Sequence, residues 1–534
     1  MKRFSLFILL ISYIIPVFSQ TYIDIVINYE KTDLVSSYSA GITHTQNSIN
    51  SWNNSEAIND AKLLLKNSAD FQNQHIMGWG SLNPWPDSTV TNSANWNWKS
   101  LDDRVSLIRE TNGKAVITLC GCPTWMHTPA SNGMTEWGDA LEKAPTPVHF
   151  DDFAHLCAEV ARRYPDVMYF QVWNELKGFW SLDLNRWRYE DYTIMYNMIY
   201  DSLKAVNPVI KVGGPYPVMS TYSVQKSYTI DLGVEYGFFD KRPLDVIIYW
   251  LEHKKGADFL AVDGGIQNKD GISNCDVFKA GDKFVDIVSW IRQQINKESL
   301  LDIWWSEWYA RPGTADPQNN IAFDNALMAS SLIKTIRAGS ATVLIWQPEG
   351  DNQGFSHPLG VWTSTVDPGG GKATPLYYTL KNLKDNFSKG VEIVNSTINS
   401  DDVTVIASKA KILLVNHKNI NSEIRINNSL ILSLLPYEVK LIDALPTKIQ
   451  QLKESEIKIN FNNTNRILYL HNLRSEPEKI KYSIINHSGS VIKSGQEVAI
   501  SEHSINLSML PSGIYIYQVF YMNNLYSDLI ISLR

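Results

Sequence analysis

Between about Ala40 and Asn386, short apolar runs alternate with stretches whose apolar residues recur every three or four positions. The runs "AGITHTQ", "NQHIMGWG", "KAVITLCG", "MYFQVWNE", "IKVGGPY", "DFLAVDGG", "LDIWWSEW" and "ATVLIWQP" read as eight strands. Most are continuously apolar, as strands buried on both faces are. The stretches between them read as amphipathic helices. "SLDDRVSLIRETNG" places Ser100 and Asp103 in a capping-box arrangement, with Gly113 at the exit. "DDFAHLCAEVARRYP" sets Phe153, Cys157, Val160 and Tyr164 on one stripe that Pro165 closes. "VDIVSWIRQQIN" and "NALMASSLIKTIRAG" behave alike. Strand and helix alternating in this way predict an α/β fold, a (β/α)8 TIM barrel over residues 20–386. A doubly wound open sheet would carry a Gly-rich phosphate loop after its first strand, and there is none.

The pattern changes after about Lys389. Tryptophan disappears, and Ile, Asn and Ser rise. Short alternating runs with polar turns predict a small accessory β-sandwich over 387–445. The early strand Ile23 to Glu30, within residues 20–35, can complete it. A second C-terminal β-sandwich module follows over 446–534. At the other end, Lys2 and Arg3 precede an apolar stretch too short for an anchor. Residues 1–19 therefore read as a signal peptide, cleaved near Val17-Phe18-Ser19. No other stretch is long and apolar enough to span a bilayer.

The composition adds three points. With 534 residues there is room for a large domain and one or two small ones. A net charge of −7 argues against a nucleic-acid partner, which would want a basic face. Seventeen Trp exceed what packing in a barrel needs, and aromatic faces complement the apolar faces of sugar rings. Four cysteines (Cys120, Cys122, Cys157 and Cys275) are too few for a disulfide framework. Cys120 and Cys122 fall two apart on the third predicted strand, and we expect buried free thiols. Metal ligation would need more Cys or His at suitable spacing, so no metal is expected.

Candidate chemistry lies at two strand ends. Glu175 closes "YFQVWNE" behind the buried Phe170, Val172 and Trp173, and Glu307 closes "IWWSE". In a barrel the C-terminal strand ends meet at one mouth. Strands four and seven lie nearly opposite, so the two carboxyls can sit about 5–5.5 Å apart, the spacing of retaining glycosidases. His44, His75, Trp79, Trp125 and Tyr216 also fall near predicted strand ends.

On these residues the chain resembles the retaining glycoside hydrolases of clan A, where Asn-Glu ends the fourth strand and a nucleophilic Glu ends the seventh. With Gly213-Gly214-Pro215, Trp173-Asn174-Glu175 and a trailing β-sandwich, it looks most like glycoside hydrolase family 39, which includes β-xylosidases and α-L-iduronidases. The resemblance implies Glu307 as nucleophile and Glu175 as acid/base. It also implies that Asn174 binds the sugar 2-hydroxyl and that Trp346 lies under the reacting ring, with Gln347 beside it. Trp173, His44, His75, Tyr216 and Trp125 complete the candidate sugar contacts. No cofactor is implied. One position departs from the pattern: Asp263 stands where clan members often carry His. An acid there would accept two sugar hydroxyls or pair with a cation, and would discourage a uronate or sulfated sugar.

The C-terminal module resembles a type IX secretion sorting domain, through "GSVIKSG" and "INLSMLPSGIYIYQV", although only Arg534 supplies the basic ending. That implies export through the periplasm of a Gram-negative bacterium to the medium or cell surface, with the type IX machinery as partner. The default reading is an exo-β-xylosidase-like enzyme on plant or algal carbohydrate. An endo-acting hydrolase, a non-catalytic carbohydrate-binding barrel and an adhesin built on the β modules are the alternatives.

Overall fold

A computed structural model of the chain describes residues 22–44, 53–77, 82–127, 143–295, 301–310, 320–349, 359–444, 458–471, 473, 478–486, 490–499, 502–521 and 524–532. The expected signal peptide and Trp79 lie outside the described residues. The chain divides into two compact units, Met1–Ala444 and Leu445–Arg534.

The first unit contains a closed barrel of eight parallel strands. In chain order they are Ser39–Thr43, Phe71–His75, Lys114–Leu119, Tyr169–Val172, Lys211–Val218, Phe259–Gly265, Asp302–Tyr309 and Thr342–Ile345. Helices including Lys99–Glu110, Phe150–Arg163, Tyr189–Val206, Lys241–His253, Asp282–Gln294 and Ile321–Arg337 fall between them. Alternation along each strand sends one side chain inward and the next outward. Trp304 and Trp305 show this on adjacent positions. Trp304 points in, stacking on Phe259 at 4.2 Å and meeting Phe71 at 5.0 Å and Tyr169 at 5.5 Å. Trp305 points out, meeting Phe284 of helix Asp282–Gln294 edge-on at 5.0 Å. The interior aromatics need a small partner. A Cβ on Gly213 would lie 2.1 Å from the Phe259 ring. Trp304→Ala is expected to destabilise the barrel by about 3–5 kcal/mol. Urea denaturation measures this, and an unchanged midpoint would show that this layer does not hold the barrel together.

Two local expectations need correction. Helix Lys99–Glu110 begins on Trp98 without a side-chain cap. Ser100 Oγ instead accepts from the Leu82 N–H (3.1 Å), and Asp103 pairs with Lys99 at 2.7 Å. The left-handed residue at the exit is Asn112 (φ 56°), not Gly113. Gly113 is required for space, because a Cβ there would sit 2.4 Å from the Gln72 amide. Cys120 and Cys122 are not on the third strand, which stops at Leu119, before Gly121 turns the chain at φ 69°. Both are buried free thiols, as is Cys157, while the free Cys275 is partly exposed. Burial pushes all four thiols up.

The long strand Ile23–Val35 runs antiparallel to Glu392–Ile398 and parallel to Ser422–Ile426. With Leu430–Leu434 they form a four-stranded sheet. A three-stranded sheet of Val403–Ala407, Lys411–Asn416 and Val439–Asp443 lies in the same unit. Helix Ile321–Arg337 links the barrel to both sheets. Arg337 donates to Ser396 Oγ (2.8 Å) and to the Val405 carbonyl, and Ser330 Oγ meets Thr404 Oγ1 at 2.8 Å. The second unit has its own three- and four-stranded sheets around Leu468, Ile480, Tyr517 and Val519. No helix among the described residues is long and apolar enough to cross a membrane.

Candidate active site

The barrel mouth is built from backbone that leaves the ordinary strand conformation. His44 (φ 58°), Trp173 (φ 72°), Glu175 (φ 50°), Leu176 (φ 50°) and Tyr216 (φ 65°) are all left-handed. Elsewhere the described left-handed non-glycines are mostly asparagines (Asn112, Asn185, Asn427 and Asn428), a residue type that tolerates this region, together with Tyr437 and Arg466. At the mouth the residues are large and intolerant, so packing has to hold each at a cost of about 1–3 kcal/mol. Glu307 is aimed by a different device. Val262 pairs with Trp305 and Asp263 with Glu307, so the register skips Ser306. Such a bulge re-aims the next side chain.

A polar belt supports this end of the barrel. Asn73 Nδ2 donates to Thr43 Oγ1, Thr118 Oγ1 to Asn73 Oδ1, Gln171 Nε2 to Thr118 Oγ1 and Ser306 Oγ to Gln171 Oε1, all at 2.6–2.8 Å. All five residues are fully buried. The belt joins strands one, two, three, four and seven, so the residue beside Glu307 is tied to the strand that delivers Glu175.

Above the belt, the Tyr216 hydroxyl donates to Glu307 Oε1 at 3.0 Å, and His44 Nε2 lies 3.4 Å from the same oxygen. Burial first, then the negative charge of Glu307, pushes the Tyr216 hydroxyl far up, so it stays protonated. His75 meets His44 edge-on at 4.5 Å. Its burial, then its neighbours His44, Arg104 and Lys177, hold it well below its ordinary value and therefore neutral. Lys177 Nζ contacts Glu175 Oε2 at 3.0 Å. One oxygen from each of Glu175, Asp263 and Glu307 lies within 4.8 Å of the others. His44, His75 and Glu307 form a second set with the same spacing. Either set could hold an ion; within the chain, Lys177 already meets Glu175 and the Tyr216 hydroxyl meets Glu307.

Asp263 lies at the same mouth, one oxygen within 4.8 Å of oxygens of Glu175 and Glu307. It is fully enclosed, and burial first, then the charges of Glu307 and Glu175, push its carboxyl well above the usual range. The shift favours the protonated form and weakens the case for an ionised acceptor at this position. The folded chain keeps a proton that the unfolded chain releases near 3.8. Stability from this group is full below that pH and is lost as pH rises toward the folded value. Asp263→Asn is therefore expected to match the parent in thermal midpoint at pH 3 and to gain on it steadily above about pH 4. A difference that stays flat with pH would mean that Asp263 is ionised.

The other candidates separate into two groups. Asn174 and Gln347 are nearly buried, and their side-chain oxygens lack a hydrogen-bond partner among the described residues. Trp346 is half-buried, 5.9 Å from the Tyr309 ring, and a cis peptide joins it to Gln347. His44, His75 and Tyr216 are fully buried; His44 and Tyr216 meet Glu307, His75 meets His44, and Tyr216 also packs with the barrel-interior cluster of Phe71, Phe259 and Trp304. Trp173 is not a sugar contact. Its ring lies against Phe153 and Phe179, and its Nε1 donates to the Lys177 carbonyl (2.7 Å). Left-handed backbone at Trp173 turns the indole out toward the helix layer. Trp125 donates to the Trp85 carbonyl (3.1 Å) and packs edge-on against Trp85 and His149. Lys177 was missed, although it stands two residues after Glu175; no periodicity marks a cation that only the turn brings back.

Residues 455–532 match the family described as "Secretion system C-terminal sorting domain". The chain thus carries a type IX sorting tail, which implies the secretion machinery as a partner. A β-xylosidase of Caldicellulosiruptor saccharolyticus is 24% identical over 205 residues, 38% of this chain. The match spans about a third (36%) of that relative's length. Among solved structures, SrfJ of Salmonella typhimurium aligns with a TM-score of 0.54 and 10% identity, covering 79% of this chain and 92% of its own. A GH39 β-xylosidase of Caulobacter crescentus aligns with a TM-score of 0.49 and 15% identity, covering 87% and 86%. The likeness to SrfJ is one of fold.

Proposed function

We propose that the chain is an exported glycoside hydrolase that cleaves O-glycosidic bonds with retention, through a glycosyl-enzyme. The supporting observation is that Glu175 and Glu307 meet at the barrel mouth, one oxygen of each within 4.8 Å of the other, in unlike surroundings. Glu307 receives the Tyr216 hydrogen bond and has His44 beside it, which suits an ionised, oriented nucleophile. Glu175 opens toward a solvent-connected cavity, which suits exchange of a proton with a leaving group and then with water.

In the first step a Glu307 oxygen bonds to the anomeric carbon while the bond to the leaving oxygen breaks. Glu175 delivers a proton to that oxygen, and a neutral glycosyl ester remains. In the second step Glu175 takes a proton from water. The water oxygen bonds to the anomeric carbon and Glu307 departs as carboxylate. Two inversions give retention. Asn174 is assigned to the 2-hydroxyl, Trp346 to the ring face and Gln347 to a neighbouring hydroxyl.

Exo-acting cleavage of β-xylosides is the first substrate assignment, supported by the partial match to a β-xylosidase. Passage through the periplasm and release at or beyond the cell surface complete the reading. The test is a screen of aryl glycosides and plant and algal polysaccharides, with proton NMR of the first anomer released. The expected result is the β-anomer from a β-glycoside. Release of the α-anomer removes the double-displacement mechanism, and no release from any glycoside removes the hydrolase.

A further inference from the structure

A cavity of about 530 Å³ adjoins Glu175. Glu175 lines it and Glu307 does not. In a double displacement the acid stands on the side where the departing group leaves. The cavity is therefore on the leaving-group side, a placement that rests on the acid/base reading of Glu175.

The lining is unusual in charge. Its ionisable groups apart from Glu175 include three lysines: Lys177, Lys269 and Lys283. Lys177 is engaged with Glu175. Lys269 is exposed and forms no ion pair among the described residues. Lys283 borders the cavity with 1% of its surface exposed. Its Nζ donates to the Gln267 carbonyl at 3.2 Å, and no carboxylate lies within ion-pairing reach of it among the described residues. Burial brings it down to about 7, with Asp263 as the opposing influence. A buried amine with spare donors relieves the cost of its charge by giving up its proton or by meeting an anion, which a ligand in the cavity can supply. A hairpin places Trp180 and Trp187 at the same cavity, their rings 5.0 Å apart and edge-on, one of them 36% exposed. Aromatic faces beside cationic donors fit a sugar ring that carries an acidic group.

We propose that this cavity is a leaving-group subsite for a sugar bearing a carboxylate or a sulfate ester. Lys283 and Lys269 hold the anionic group, and the Trp180–Trp187 pair takes the ring.

Calorimetric titration of the full chain with methyl β-glucuronide, methyl β-glucoside 6-sulfate and methyl β-glucoside tests this. At least one anionic probe is expected to bind about tenfold tighter than the neutral one. A preference for one anion alone assigns the carboxylate or the sulfate. Lys283→Met removes the preference and Lys269→Ala weakens it; the exposed Lys269 carries the test if the Lys283 variant does not fold. Equal affinity for all three probes, or a preference unaffected by both substitutions, overturns the proposal. Binding is read without turnover. Hydrolysis of neutral aryl glycosides without anion preference therefore overturns the subsite alone, and anion preference without any hydrolysis overturns the hydrolase alone.

Discussion

Glu307→Gln is expected to lower kcat by about 10⁴-fold or more, on the scale seen when a nucleophile is removed from a preorganised site. The amide keeps the shape and can still meet Tyr216, so folding and sugar binding persist. It cannot attack the anomeric carbon. Burst kinetics with an activated aryl glycoside and titration with the intact sugar separate these effects. Unchanged turnover in this variant would take Glu307 out of the chemistry. A parent chain that binds sugar but never turns it over would be a carbohydrate-binding barrel.

Glu175→Gln is expected to split by leaving group. Sugars leave as poor alkoxides and need the proton, so their turnover should fall about 10²–10⁴-fold. Acidic nitrophenols depart without that help, so their first step should fall much less and glycosyl-enzyme should accumulate. A single uniform loss across both substrate classes would assign Glu175 to binding and not to proton transfer.

The barrel was legible because both of its periods are strong. Continuous apolar runs marked the strands, and striped runs such as Phe153, Cys157 and Val160 marked a helix that buries those residues. The positions of Glu175 and Glu307 came from strand order alone. The backbone beyond each strand end was not legible. Left-handed turns at Trp173 and Tyr216 redirect side chains against simple alternation, which is why Trp173 reads as a sugar contact and packs instead under a helix. The polar belt was also hidden. Gln171 and Ser306 look like interruptions of apolar strands, and only closure of the barrel makes them neighbours. The protonation of Asp263 is likewise a property of enclosure, which no local pattern encodes.

The pairing of Ile23–Val35 with strands that begin at Glu392 and Ser422 sets an order of events. Asp24 reaches Arg425 across 401 positions of chain. A ring that large costs only about 0.6 kcal/mol more than one half its size, but such distant partners make folding slow. Throughout synthesis and transit the leading strand presents two open hydrogen-bonding edges, each able to recruit a stranger. Its own partners arrive only after the whole barrel has been made, so a polypeptide cut short before residue 426 is the form expected to clump.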